Sequence, residues 1–172
     1  MDYLKSKIRS VPDFPKPGIL FYDITTLLGD AEGFRDTVDA LVQPYRDQQV
    51  ARVVGIESRG FILAAAVADR LGAGFVPVRK PGKLPSATIT ESYALEYGTD
   101  ALQVHHDAIR PGQRVLLIDD VLATGGTARA ATNLVRSLGG NLVSIAFLIE
   151  LNFLKGRARL DGEQVFSVLQ YD

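Results

Sequence analysis

The chain of 172 residues is 47% hydrophobic and 23% charged, a length and balance that fit one globular domain with a sizeable core and not a disordered or fibrous chain. Cysteine is absent, which removes disulfides, thiolate catalysis and cysteine-ligated zinc together and makes the cytosol the natural compartment. A formal net charge of -1 supplies no global basic field for nucleic acid, so any anion site has to be local.

The N-terminal stretch MDYLKSKIRSVPDFPKPG is charged and broken by proline, which fits neither a signal peptide nor a membrane span. No later run approaches the ~20 uninterrupted apolar residues of a spanning helix, so no membrane partner is expected. Residues 33–50 carry Phe34, Val38, Leu41, Val42 and Tyr45 at helical spacing, with Pro44 expected to kink the second half. RVVGIE (52–57) reads as a short strand, FILAAAVADRLG (61–72) as a buried helix with a glycine stop, and GFVPV (74–78) as the next strand. Residues 79–101 mix proline, glycine, serine, threonine and charge without a sustained period. They read as a long irregular loop in which TITESYALEY can form a hairpin arm, and such loops are commonly functional. His105 and His106 are neighbours that a strand would point to opposite faces, so they do not readily share a metal. RVLLIDD (114–120) is continuously apolar up to its aspartates, as for a parallel strand covered on both faces. ARAATNLVRSLGG (128–140) then reads as a helix and NLVSIAFLIEL (141–151) as another buried strand. The alternation predicts an α/β fold with a central, mostly parallel sheet flanked by helices.

Two nucleotide fingerprints fail on inspection. GIESRGFI (55–62) has the glycine spacing of a nucleoside triphosphate loop, but Phe61 and Ile62 replace its lysine and hydroxyl residue. The GGT at 125–127 lacks the spacing of a dinucleotide fold. What remains is VLLIDDVLATGGT (115–127), placed where parallel sheets bind ligands, beyond the carboxyl end of a strand. Ala123, Thr124, Gly125, Gly126 and Thr127 offer approachable backbone N–H groups, two hydroxyls and a helix start, which suit a phosphate monoester. Asp119 and Asp120 are acceptors for vicinal hydroxyls, so a ribose 5-phosphate satisfies both halves. A lone aspartate pair would read as a solvated strand end and a lone glycine pair as a turn; the whole run in this order favours the ligand.

The run resembles the 5-phosphoribosyl 1-diphosphate (PRPP) motif of type I phosphoribosyltransferases. Similarity extends to FPKPGILFYDITTLL (14–28), IESRGF (56–61), RKPGKLP (79–85), SYALEYG (92–98) and the closing VLQYD, which together resemble the adenine-using branch. The resemblance implies one domain over 1–172, with an N-terminal base-binding hood at 1–30 and a flexible catalytic loop at 79–101. It implies transfer of phosphoribose from PRPP to adenine, giving AMP and diphosphate in purine salvage.

The resemblance also implies roles. Asp119 and Asp120 hold the ribose hydroxyls, residues 123–127 hold the 5-phosphate, and the paired charge favours an oxocarbenium-like ribose. Glu57, Ser58, Arg59 and Gly60 meet the diphosphate, with a non-proline cis peptide expected at Ser58–Arg59. Arg79, Lys80 and Lys83 bring cations to the leaving group and can reach a neighbouring subunit's site, which implies a homodimer; in isolation such a cluster would be a solvated face. Glu96 is the acid/base for a purine proton and Tyr97 accompanies it in a lid that excludes water, although a loop glutamate is more often merely solvated. Phe21 and Val121 sandwich the base, while the backbone at Leu20 and Tyr22 reads its six-amino edge. Tyr22 stands where many members carry a basic residue, so its role is assigned to the backbone alone. Magnesium is implied as a cofactor carried by the diphosphate and water, with no protein metal ligand. Two other readings stay open: an enzyme for six-oxo purines, and a PRPP-sensing regulator, which would be expected to carry a DNA-binding extension or basic face.

Overall fold

The structure, a computed structural model, describes residues 2–95 and 98–172. The chain runs through α1 (Asp2–Ser6), β1 (Arg9–Pro12), β2 (Leu20–Asp23), α2 (Thr25–Leu28), α3 (Ala31–Val42), β3 (Arg52–Ile56), α4 (Arg59–Leu71) and β4 (Gly74–Val78). It continues through β5 (Thr88–Ala94), β6 (Thr99–His105), β7 (Arg114–Leu122), α5 (Gly126–Ser137), β8 (Asn141–Leu151) and β9 (Val165–Tyr171). Short 3-10 turns lie at Gln43–Tyr45, Asn152–Leu154 and Gly156–Leu160.

Five strands form the central sheet in the order β4-β3-β7-β8-β9, every neighbouring pair parallel. The apolar run of β7 divides between the two faces with the period of a strand. Leu116 and Ile118 join a core with Val38 and Leu41 of α3 and Leu63 and Val67 of α4. Val115 and Leu117 join a second core with Leu134 and Val135 of α5 and Leu102 and Val104 of β6. Both faces are therefore covered, which is why this strand carries no polar alternation until Asp119. Each such side chain contributes about 1.5–3 kcal/mol by leaving water.

Local chemistry sets the element ends. Asp30 caps α3 by accepting the Gly33 N–H at 2.9 Å. At its other end α3 stops at Val42 and passes into the Gln43–Tyr45 turn, so Pro44 ends the helix and does not kink a longer one. Proline lacks the N–H that an α-helix would use there, and its ring crowds the preceding turn. Residues 79–101 are also more ordered than their composition suggests. The second half of the segment enters an antiparallel pairing, β5 with β6 from Thr88↔His105 to Ala94↔Thr99. The side chains of β5 alternate between half-buried and exposed, but Glu91 takes a half-buried place between Ile89 and Tyr93, accepting Asn133 Nδ2 at 2.7 Å, and so breaks the apolar alternation. A second hairpin, β1 with β2, stands near the N-terminus. Among the described residues no helix is long and apolar enough to cross a membrane.

Candidate active site

β3 and β7 are adjacent and parallel, so the turn that leaves β3 lies beside the last residues of β7. This brings Glu57–Gly60 against Asp119 and Asp120, around a cavity of about 350 Å³ that also touches Lys80 and Thr127. Gly60 makes the approach possible. A Cβ there would fall 2.6 Å from Asp119 Oδ1 and 3.2 Å from the Ile118 carbonyl oxygen. Burial, and then the adjacent Asp120 charge, push the Asp119 carboxyl well above the usual carboxylate range. Asp119 Oδ1 also accepts the Asp120 N–H at 2.9 Å.

Asp120 is 6% exposed and is ion-paired with Arg59 through Nε and Oδ2. The same guanidinium lies 5.3 Å from the centre of the Phe21 ring. Phe21, Arg59 and Asp120 thus form one stack across the site. The expected non-proline cis peptide is displaced by one bond: it lies at Glu57–Ser58 and not at Ser58–Arg59. Ser58 is already the cap of α4 and Arg59 its first residue, so the Ser58–Arg59 bond belongs to the helix entry.

The three cations at the head of the 79–101 segment have internal partners. Glu57 Oε1 accepts Lys83 Nζ at 2.7 Å and Arg79 Nη2 at 3.3 Å, while Oε2 accepts the Lys80 N–H at 2.9 Å. Burial alone would raise the Glu57 pKa, but the bonds from Lys83, the Lys80 N–H and Arg79 outweigh it and hold the carboxyl at about 2. The ionised Glu57 carboxylate thus holds Arg79, Lys83 and the Lys80 backbone in place beside the cavity. Lys80 Nζ pairs with Asp100 and donates to the Tyr93 hydroxyl at 3.1 Å, and that hydroxyl in turn donates to Asp100 at 3.2 Å. Asp100 and Tyr93 escaped the sequence reading because their role depends on the β5–β6 register, which aligns Tyr93 with Asp100.

After Asp120 the chain turns through Ala123–Gly125 into α5. Gly125 has φ +83° and stands at the helix cap with no side-chain capping bond, leaving first-turn N–H groups open to an anion. The loop rests on the Gly156–Leu160 turn. A Cβ on Gly125 would lie 2.4 Å from the Gly156 carbonyl oxygen, and one on Gly156 would lie 2.1 Å from that of Ala123. Nothing in KGRARL announces this contact, because it joins segments some thirty residues apart.

The predicted base-binding residues lie near one another but differ in setting. Phe21 is half-buried, meets Phe14 edge-on at 5.1 Å and faces Arg59. Val121 lines the small cavity of the 123–127 loop while packing against the α3–α4 core. Leu20 is exposed, and the Tyr22 side chain stacks on Tyr171 at 4.1 Å, leaving only its backbone for a ligand. Glu96 and Tyr97 lie outside the described residues.

The site therefore presents an anion loop, a carboxylate pair and a cation cluster in succession, with an aromatic ring alongside. The phosphoribosyl transferase domain family matches residues 28–168. The adenine phosphoribosyltransferase of Solibacter usitatus is 62% identical over 100% of this chain and 99% of its own length. That of Geobacter metallireducens is 58% identical over 99% of this chain and 100% of its own. Among solved structures, adenine phosphoribosyltransferase from Rhodothermus marinus superposes with a TM-score of 0.95 at 57% identity, covering 99% of this chain and 97% of that one. The Saccharomyces cerevisiae enzyme, complexed with an imino-altritol bisphosphate and adenine, gives a TM-score of 0.93 at 41% identity, covering 98% and 97%. The chain belongs to the phosphoribosyltransferase family and, within it, to the adenine phosphoribosyltransferases.

Proposed function

We propose that this chain transfers the 5-phosphoribosyl group of PRPP to N9 of adenine, releasing diphosphate and forming AMP for purine salvage, as a cytoplasmic homodimer. The observation that carries the reading is the shared cavity between the ends of β3 and β7. It is lined by Arg59, Lys80, Asp119, Asp120 and Thr127, and Asp119 and Thr127 also line a second, smaller cavity at the residue 123–127 loop. A ligand with a monoester at one end, a diol in the middle and a diphosphate at the other matches that order of groups.

In this reading Ala123, Thr124, Gly125, Gly126 and Thr127 hold the 5-phosphate. Asp119 and Asp120 accept the ribose hydroxyls, and Arg59, Lys80, Arg79 and Lys83 face the diphosphate, with Ser58 and Gly60 at its turn and Glu57 holding the cations. As the C1–oxygen bond breaks and positive charge gathers on the ribose, two fixed carboxylates stabilise that charge more than they stabilise the neutral sugar. Phe21 and Val121 cover the faces of adenine, and backbone at Leu20 and Tyr22 reads its amino edge. A six-oxo base would cover those backbone groups and leave them unpaired, which discriminates strongly. Residues 1–30 act as the base hood and 79–101 as the loop that closes, carrying Glu96 for the departing purine proton and Tyr97 beside it.

Magnesium would enter with the substrate, carried by the diphosphate and water with no protein ligand, since Asp119 and Asp120 face the ribose hydroxyls. When bound, the ion neutralises charge on the departing diphosphate. The test is direct: purified protein, PRPP and magnesium are mixed with each purine in turn, and nucleotide and diphosphate are followed. AMP from adenine alone is the expected result. Turnover of a six-oxo purine would reassign the substrate, and PRPP binding without product from any base would mark a sensor. Arg79 and Lys83 reaching a second subunit would appear as activity restored on mixing two singly inactive variants.

A further inference from the structure

We propose that Arg159 is a direct ligand of the substrate's 5-phosphate, a role beyond the backbone loop and resting on the reading that residues 123–127 hold that group. The Gly156–Leu160 turn is locked beneath the loop by the two backbone contacts at Gly125 and Gly156. It carries Arg159 up beside the loop, so that its Cβ lies 3.2 Å from where a Gly125 Cβ would stand and its Nη1 lies 3.3 Å from the same point on Gly126. The Tyr93 ring approaches that Gly126 point from another direction at 3.6 Å. Arg159 and Tyr93 together wall a cavity of about 650 Å³ that opens onto Thr124 and Thr127.

Nearby arginines are already committed. Arg157 is paired with Glu150, and Arg129 and Arg136 are both paired with Glu163. Arg159 is exposed and, among the described residues, has no carboxylate partner. Its guanidinium instead stands over the positive end of α5, an arrangement that is unfavourable until an anion enters between them. A phosphate monoester does so, accepting backbone N–H groups from one side and the planar guanidinium from the other.

The position allows a clean test. Arg159→Ala retains the Cβ beside Gly125, and the Arg159 carbonyl oxygen still accepts Arg129 Nε, now at 2.7 Å, so the melting temperature should not move. The variant should raise the KM for PRPP and weaken AMP binding by about tenfold or more, as expected for loss of a charged hydrogen bond. KM for adenine and binding of adenosine should be unchanged, and Arg159→Lys should recover part of the loss. Unchanged PRPP and AMP affinities would overturn the inference, as would equal weakening of AMP and adenosine. Should the parent protein make no AMP, the functional reading fails separately, and ribose 5-phosphate binding to the parent and to Arg159→Ala still decides the role of Arg159.

Discussion

At neutral pH the Asp119 carboxyl must ionise out of water, beside Asp120 and against Gly60, and its raised pKa records what that costs. The sign follows from linkage. A carboxyl whose folded-state pKa is raised favours the fold while protonated, and loses that contribution as pH rises through the folded value. Asp119→Asn removes the charge but keeps an oxygen for the Asp120 N–H. The variant should therefore melt higher than the parent at neutral pH, with the difference fading in acid, while turnover falls by ~10²-fold. A lower melting temperature with normal turnover would deny Asp119 both its strain and its function. This residue was legible in sequence because its neighbours in the chain are also its neighbours in space. Tyr93, Asp100 and Arg159 were not, since each acquires its setting from a segment distant in sequence.

Among the elements, the Gly156–Leu160 turn has the most consequence for its length. Glu150 at the end of β8 fastens it, accepting Arg157 Nε at 2.9 Å and Nη2 at 2.5 Å as well as Ser167 Oγ at 2.6 Å from β9. Its carboxyl is held below its usual pKa chiefly by Arg157. Glu150→Ala should lower stability by about 1–3 kcal/mol, measured by denaturant unfolding. It should also raise the KM for PRPP, because the turn supports the 123–127 loop proposed to hold the 5-phosphate, while the KM for adenine stays unchanged. An equal rise in both would show general loosening of the site. The buried strands and main helices were readable from apolar period, and β4 and β8 keep the bounds expected of them. The β5–β6 hairpin was only half readable, since the polar Glu91 stands on its half-buried face and interrupts the apolar alternation. Pro44 reads as a disturbance from sequence alone, but whether it kinks or ends a helix depends on what packs beyond it.

Across the whole molecule, the β1–β2 hairpin is tied to β9, far along the chain. Tyr22 stacks on Tyr171 at 4.1 Å, and Lys5 lies 4.8 Å over the Tyr171 ring while donating to the Gln170 carbonyl oxygen at 2.6 Å. Tyr171→Ala should thus disturb the base side of the site first. Loss of an aromatic pair worth about 0.5–1.5 kcal/mol predicts a rise in adenine KM of roughly two- to tenfold with PRPP KM little changed. The opposite pattern in steady-state kinetics would separate this hairpin from base binding. The stack of Phe21, Arg59 and Asp120 has a consequence for time as well as place. While Arg59 lies on Phe21 it occupies the ring face that the proposed purine site would use, and in the proposed reading diphosphate is the group that draws it away. Turnover should then run in a compulsory order, PRPP entering before adenine, and calorimetry should find adenine binding weakly alone and more tightly once diphosphate is present.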